Sequence, residues 1–242
     1  SFAQAQVDLE VSLFKLPNLL RVLPAAQPIG SVLEIGCATG ELVAAMPVRP
    51  GGRRVGIDIS EANVRAAQAR FPDVEFRCGD FRELTGLRFD VVVLSDVLEH
   101  VPDDVGFLRD AAALADTVLL NLPLEDNWLN RRRRYGPDDV SGHLRRYSLA
   151  DGEALVERAG LDVLGMARVW VHETAAEPAL RRLRRQHTGA AFGGSRPSRL
   201  LRQVVHAAAV GLPPFGRHLF ASNLFVAARA RGHPGPGPRH VR

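Results

Sequence analysis

Two hydrophobic spacings take turns along this chain. Residues 7–23, VDLEVSLFKLPNLLRVL, place apolar positions at helical intervals interrupted at Pro17, which predicts one or two short leading helices within 1–25. A strand follows at about 31–35 (SVLEI), then a Gly loop and a short helix from Glu41. RRVGIDIS predicts a second strand ending at Asp58. Ser60 is a suitable N-cap for the Ala-rich helix that begins at Glu61. VEFRCGDF reads as a short third strand. FDVVVLSD is a continuous apolar run, the pattern of a strand buried on both faces. A helix over 103–114 leads to a fifth strand, DTVLLNLP.

After Pro123 the pattern changes. EDNWLNRRRRYGPDDVSGHLRRYS is a long polar loop with aromatic and basic interruptions, and a loop of that length is usually functional. Residues 148–159 predict a helix capped by Ser148, LDVLGMARVWV a sixth strand, and residues 219–229 a seventh. Between the last two strands, 173–217 is basic, Ala-rich and helical in pattern. Residues 231–242 form a Pro/Gly-rich segment expected to be a flexible tail. Strands alternating with helices imply an α/β fold with a doubly wound sheet. One domain over 1–230 accounts for the chain, with 173–217 as a helical insertion before the last strand. That insertion could cap a pocket, form an oligomer contact, or touch a membrane or an anionic carrier. No oligomeric state follows from the sequence.

Composition adds limits. The 242 residues are 46% hydrophobic, enough for one large core. No apolar run approaches the ~20 residues of a membrane span. The start, SFAQAQVDLEVSLF, lacks a basic region followed by an apolar one, so no secretory signal is expected. Cys37 and Cys78 are expected to be reduced and buried, with a cytoplasmic location. Lys15 is the only lysine among many arginines, a compositional bias that lowers the weight of any single Arg. Residues 1–125 carry a net charge of −7 and residues 126–242 one of +11. A basic half could attract an anionic substrate, nucleic acid or a membrane surface, or be only a solvated face.

The chemistry begins at VLEIGCATGEL, where Gly36, Ala38 and Gly40 place small residues at every second position. Dinucleotide-binding loops use Gly-x-Gly-x-x-Gly instead. Asp58 ends the second strand about 20 residues on, where a carboxylate can accept both ribose hydroxyls. CGDF sets Asp80 and Phe81 after the third strand, and SDVLEHVPD follows the fourth. Asp58 and Asp80 could also be simple helix caps.

Taken together, these four elements resemble class I S-adenosylmethionine-dependent methyltransferases over roughly residues 30–170. The resemblance implies a Rossmann-like fold, with a seven-stranded, mostly parallel sheet. It also implies a cofactor site at Glu34, Gly36, Cys37, Gly40, Asp58, Ile59, Asp80, Phe81, Ser95 and His100, with Asp96 near the methionine moiety and a candidate catalytic residue. The family's reaction is in-line displacement at the sulfonium methyl, in which the protein positions and deprotonates the acceptor.

His143, in GHLRRYS, is the candidate general base. Similar GH-x-R-x-Y/F-S segments occur in methyltransferases encoded among bacterial sugar and polysaccharide genes. The acceptor is therefore expected to be a hydroxyl on a sugar, oligosaccharide or glycosylated metabolite. Asn121, Glu125, Trp128, Tyr135, Arg145 and Tyr147 are the candidate substrate contacts, with Arg146 beside them. Asp96, Glu99, His100, Asp126 and His143 could hold a divalent cation such as magnesium, although their spacing is not diagnostic. Ser95–Asp96 differs from the Asn-Pro-Pro-Tyr type used on nucleic-acid bases. No DNA partner is expected, and RNA is disfavoured because the run Arg131–Arg134 lacks clear stacking aromatics. Two other readings stay open: N- or carboxyl-methylation of a small natural product, and a non-catalytic cofactor- or RNA-binding protein.

Overall fold

The computed structural model describes residues 1–24, 28–127, 130–139, 141–188, 207–208, 211 and 222–232. Seven strands form one sheet in the order β3-β2-β1-β4-β5-β7-β6. They are β1 (Ser31–Ile35), β2 (Arg53–Asp58), β3 (Glu75–Cys78), β4 (Phe89–Ser95), β5 (Ala115–Leu124), β6 (Leu161–Val169) and β7 (Ser222–Ala230). The first five pair in parallel, and β7 runs antiparallel between β5 and β6. The centre of the sheet is covered on both faces, so β1, β4 and β5 are buried along nearly their whole length without alternation. In β4, Val91 and Val93 pack on one face, and Val92 and Leu94 on the other.

One face receives α5 (Asp104–Ala113) through Leu108, Ala111 and Ala112, and α6 (Leu149–Arg158) through Leu155 and Val156. The other receives α2 (Leu16–Val22), α3 (Glu41–Ala45), α4 (Glu61–Arg70) and α7 (Ala176–Thr188), by way of Leu19, Val43, Val64 and Leu180. Ser60 caps α4, and Ser148 with Asp151 forms a reciprocal capping box on α6. The break expected at Pro17 is a change of helical pitch instead. After α1 (Phe2–Glu10) the chain widens into a π-helical turn, Val11–Lys15, in which the N–H of Leu16 bonds to Val11 O. Pro17 then falls in the first turn of α2, where its missing N–H is not needed.

Cys37 is buried as expected, but Cys78 is exposed, and both are free thiols. The correction has a simple cause: Cys78 ends β3, the edge strand, where no neighbouring strand covers it. Within the predicted insertion, α7 is seen and packs against α1, with the rings of Phe2 and His187 4.8 Å apart. Residues 189–206, 209–210 and 212–217 of that insertion, 219–221 of the expected last strand, and most of the expected tail lie outside the described residues. Among the described residues no helix is long and apolar enough to cross a membrane.

β1 is flanked by β2 on one side and β4 on the other. The crossovers leave in opposite directions there, so the loops after β1 and β4 part and open a crevice at the strands' carboxyl ends.

Candidate active site

The loop after β1 explains the spacing of its small residues. Gly36, Ala38 and Gly40 all have left-handed backbone, with φ of 73°, 45° and 86°. A Cβ at Gly36 would lie 2.8 Å from Val97 Cγ2, and one at Gly40 would lie 2.6 Å from the Phe76 ring. Larger residues are thus excluded by conformation and by contact. The loop is held from β2: the N–H of Ala38 donates to Asp58 Oδ2 at 2.9 Å. Asp58 Oδ1 accepts from the N–H of Ser60 at 2.8 Å.

A cleft of about 350 Å³ opens above this loop, lined by Gly36, Asp58, Ile59, Asp80, Phe81, Asp96 and His100. Ile59 is 86% exposed on its rim, a large apolar side chain with nothing covering it. An adenosyl group fits this donor set. Asp58 Oδ2 retains a lone pair for one ribose hydroxyl, a second hydroxyl would take the place of the Asn63 amide that donates to Oδ1 at 3.3 Å, and Ile59 and Phe81 offer apolar surface for a base. Asp80 caps the 3-10 turn Phe81–Glu83 through the N–H of Arg82.

Other expected cofactor contacts lie beneath the cleft. Glu34 is buried under α3, where its carboxylate accepts the N–H of Val43 at 2.8 Å. Burial pushes its pKa up to about 8. Cys37 and Gly40 are buried in the loop's inner side, and Ser95 is buried where its hydroxyl accepts the Asn121 amide.

The raised Glu34 pKa has a consequence for stability. The folded state holds a proton that the unfolded chain releases near 4.5, so stability falls as pH rises from about 4.5 to 8. Glu34→Gln should flatten that dependence, as thermal melts between pH 5 and pH 8 would show. An unchanged slope would contradict the assignment.

Asp96 begins the loop after β4 with φ 56°, a strained position for a residue other than glycine. It is held by Lys15 at 2.7 Å and by the Asn121 amide at 3.1 and 3.2 Å. Burial works against the charge of Lys15, yet the Asp96 carboxylate outweighs it and raises the lysine's pKa. Asn121 itself is buried, and its Oδ1 accepts from Asn223 at 2.7 Å. Its polar atoms are therefore engaged inside the protein, contrary to the expectation that they meet substrate.

The excursion between β5 and α6 brings His143 back to this edge. Leu124 bridges to Tyr147, closing the base of the loop. Arg133 forks onto Asp139 at 2.7 and 2.8 Å and reaches Glu125 at 2.6 Å. Asp139 also accepts the N–H groups of Ser141 and His143, and the Arg133 guanidinium holds its carboxyl well below the usual range. His143 Nδ1 lies 2.6 Å from Glu125 Oε2. Glu125 is thus a partner of the histidine rather than an open substrate ligand.

Across the cleft mouth, His100 Nδ1 lies 3.0 Å from Gly142 O, and its ring stands edge-on to that of His143 with centroids 4.8 Å apart. Between them Glu99 is buried, and its backbone carbonyl accepts the N–H of Leu144. Burial, then the Asp96 carboxylate, push the Glu99 pKa up to about 8.

Arg145 and Tyr147 brace this arrangement from below. Arg145 donates to Pro102 O at 2.7 Å and pairs with Asp104 at 3.0 Å. The Tyr147 hydroxyl is 2.8 Å from Asp104 Oδ2 and 3.1 Å from Leu98 O, within the core. Burial raises its pKa. Both side chains, expected at the substrate, instead tie the His143 loop to the His100 loop. Arg146 pairs with Asp126 at 3.4 Å. Tyr135 lies under Arg133, 4.8 Å from ring centroid to guanidinium carbon. Trp128 lies outside the described residues.

Tyr147→Phe should cost about 1 kcal/mol and lower Tm by about 2–4 °C, leaving the acceptor KM unchanged. A raised KM with an unchanged Tm would return Tyr147 to the substrate.

Lys15, Arg133 and Asp139 were not singled out by the sequence, although Lys15 carried one signal as the only lysine.

Comparison with known proteins agrees with this geometry. Residues 6–165 match the family model described as a methyltransferase domain. A ubiquinone biosynthesis O-methyltransferase of Rhodopseudomonas palustris (strain BisB5) is 35% identical over 104 residues. That match covers 40% of this chain, and the chain spans only about two-fifths (41%) of the relative's length. The magnesium protoporphyrin IX methyltransferase of Synechocystis PCC 6803, solved with S-adenosylhomocysteine, aligns with a TM-score of 0.51 at 19% identity. It covers 84% of this chain and 75% of that one. An O-methyltransferase from a Brevibacillus brevis polyketide synthase, also with S-adenosylhomocysteine, gives 0.56 at 14% identity, covering 91% and 73%. The family match takes in the cofactor loop, the cleft and the His143 loop alike, and on it the chain belongs to the methyltransferase-domain family of S-adenosylmethionine-dependent enzymes with the class I fold.

Proposed function

We propose that this protein transfers the methyl group of S-adenosylmethionine to a hydroxyl oxygen of a sugar or similarly hydroxylated small molecule. One observation carries the reading: His143 is held through Nδ1 by the Glu125 carboxylate at 2.6 Å, beside His100 on the cofactor cleft. The cofactor supplies an already activated methyl group when bound. What an alcohol acceptor lacks is acidity, and an oriented imidazole supplies the missing assistance near neutral pH. Glu125 fixes the tautomer, so the Nε2 lone pair is the one that meets the hydroxyl. Arg133 pairs with Glu125, and Asp139 holds Arg133 in place. Asp58 holds the ribose, and Asp96, anchored by Lys15 and Asn121, sets negative charge near the cationic end of the cofactor.

The sugar acceptor rests on the GHLRRYS segment and on the polar walls of the excursion. The relatives named for ubiquinone biosynthesis favour a second acceptor, a hydroxyl on an intermediate of that kind. Incubation with methyl-labelled cofactor and a panel of sugars, quinone precursors, amines, carboxylates and RNA separates these. Label in an alkali-stable O-methyl sugar is the expected result. Transfer only to quinone precursors would move the acceptor, and transfer only to amines, carboxylates or RNA would overturn hydroxyl chemistry.

A further inference from the structure

Glu99, His100 and His143 converge beside the cleft, His100 on its lining and Glu99 buried behind it. Glu99 is 1% exposed, and neither of its carboxylate oxygens has a hydrogen-bond partner among the described residues. His100 Nδ1 faces the carbonyl of Gly142 at 3.0 Å. A carbonyl only accepts, so Nδ1 carries the hydrogen and Nε2 the lone pair. His143 Nδ1 faces the Glu125 carboxylate, which also pairs with Arg133, so the same tautomer follows there. Glu99 Oε1 and His100 Nε2 are 3.9 Å apart, and one ligand atom from each of the three residues lies within 4.8 Å of the others.

We propose that Glu99, His100 and His143 form a binding site for a divalent first-row transition metal ion of the zinc type. A divalent cation would satisfy all three groups at once. With metal–ligand bonds of about 2.0–2.2 Å, ligand atoms sit about 3–4 Å apart, so side-chain rotations that move each ligand atom by about 0.5–1 Å complete the set. The outer contacts are those such sites use: each histidine donates its other N–H, one to a carbonyl and one to a carboxylate. Two imidazoles and one carboxylate select a transition metal over magnesium, which prefers an all-oxygen octahedron.

Three protein ligands leave positions open toward the cleft. This inference deepens the hydroxyl-acceptor reading and rests on it for its purpose. The open positions would take one or two acceptor oxygens; with the ion bound, His143 would serve as its ligand in place of acting as the base, and the ion would lower the pKa of the bound hydroxyl so that its proton leaves to solvent.

The test uses the full chain after dialysis against a chelator, with Zn²⁺, Mn²⁺ and Mg²⁺ as probes in titration calorimetry. Wild type should bind one equivalent of Zn²⁺, at least about tenfold more tightly than Mg²⁺. Glu99→Gln and His100→Gln should each weaken Zn²⁺ by about 10- to 100-fold or more, and Glu125→Gln by about tenfold through the His143 tautomer. Circular dichroism and a thermal melt of each variant report that the fold is intact. Co²⁺ added to wild type gives a visible absorption band from the same ligand set, independent of any variant. Absence of stoichiometric Zn²⁺, or Zn²⁺ binding unchanged in both Glu99→Gln and His100→Gln, would overturn the site. The two proposals fail separately. Stoichiometric Zn²⁺ without methylation of any hydroxyl contradicts the acceptor reading alone. Full methylation by protein that takes up no Zn²⁺ contradicts the metal site alone.

Discussion

His143→Ala should lower turnover by about 10²- to 10⁴-fold while the affinity for S-adenosylhomocysteine stays within about twofold. The asymmetry follows from geometry. His143 is carried by the excursion after β5, whereas the Gly36 loop and Asp58 are carried by β1 and β2. Losing the imidazole removes activation of the acceptor and leaves the cofactor's ribose and adenine surroundings intact. Glu125→Gln should give a milder loss, about tenfold. The amide can still accept from Nδ1, but it no longer supports positive charge on the ring and no longer pairs with Arg133. Single-turnover rates with saturating cofactor, set beside binding titrations, check both. Equal losses of turnover and cofactor affinity would mean that His143 shapes the cofactor site itself.

Asp58→Ala should weaken cofactor binding by about 10²-fold. Two charge-assisted hydrogen bonds to ribose hydroxyls are worth about 1.5 kcal/mol or more apiece, and about 1.4 kcal/mol is a factor of ten. The same change removes the acceptor for the Ala38 and Ser60 N–H groups, so the Gly loop loses its fixed shape. Asp58→Asn keeps one carbonyl oxygen and should fall between wild type and Asp58→Ala. Titration of S-adenosylhomocysteine, with circular dichroism as the fold control, reads the series. An affinity unchanged in Asp58→Ala would place the ribose elsewhere.

Much of this arrangement could be read from local sequence, because local physics decides it. The continuous apolar run of β4 is what burial on both faces requires, and glycine at 36 and 40 is what left-handed backbone against Val97 and Phe76 requires. Side chains engaged over long range were not legible. Asn121 looks like a polar ligand at a strand end, but its amide is occupied by Ser95 and Asp96 and its oxygen by Asn223, 102 residues later. Tyr147 and Arg145 look like substrate contacts, but Asp104 and the 98–102 backbone claim them. Nothing in the sequence around Lys15 tells that a π-helical turn delivers it to Asp96. The segment from Glu125 to His143 drew attention by length and polarity. Its inner wiring, Asp139 to Arg133 to Glu125 to His143, depends on a fold-back that spacing alone does not reveal.

The central claim is that the cofactor's reacting end faces His143 and His100 across one cleft. A crystal structure with S-adenosylhomocysteine tests it most directly. The account predicts ribose hydroxyls on Asp58 and sulfur directed toward the space bounded by His100, His143 and Glu99, with nothing between. Sulfur directed away from that space, or a protein wall between sulfur and His143, would contradict it.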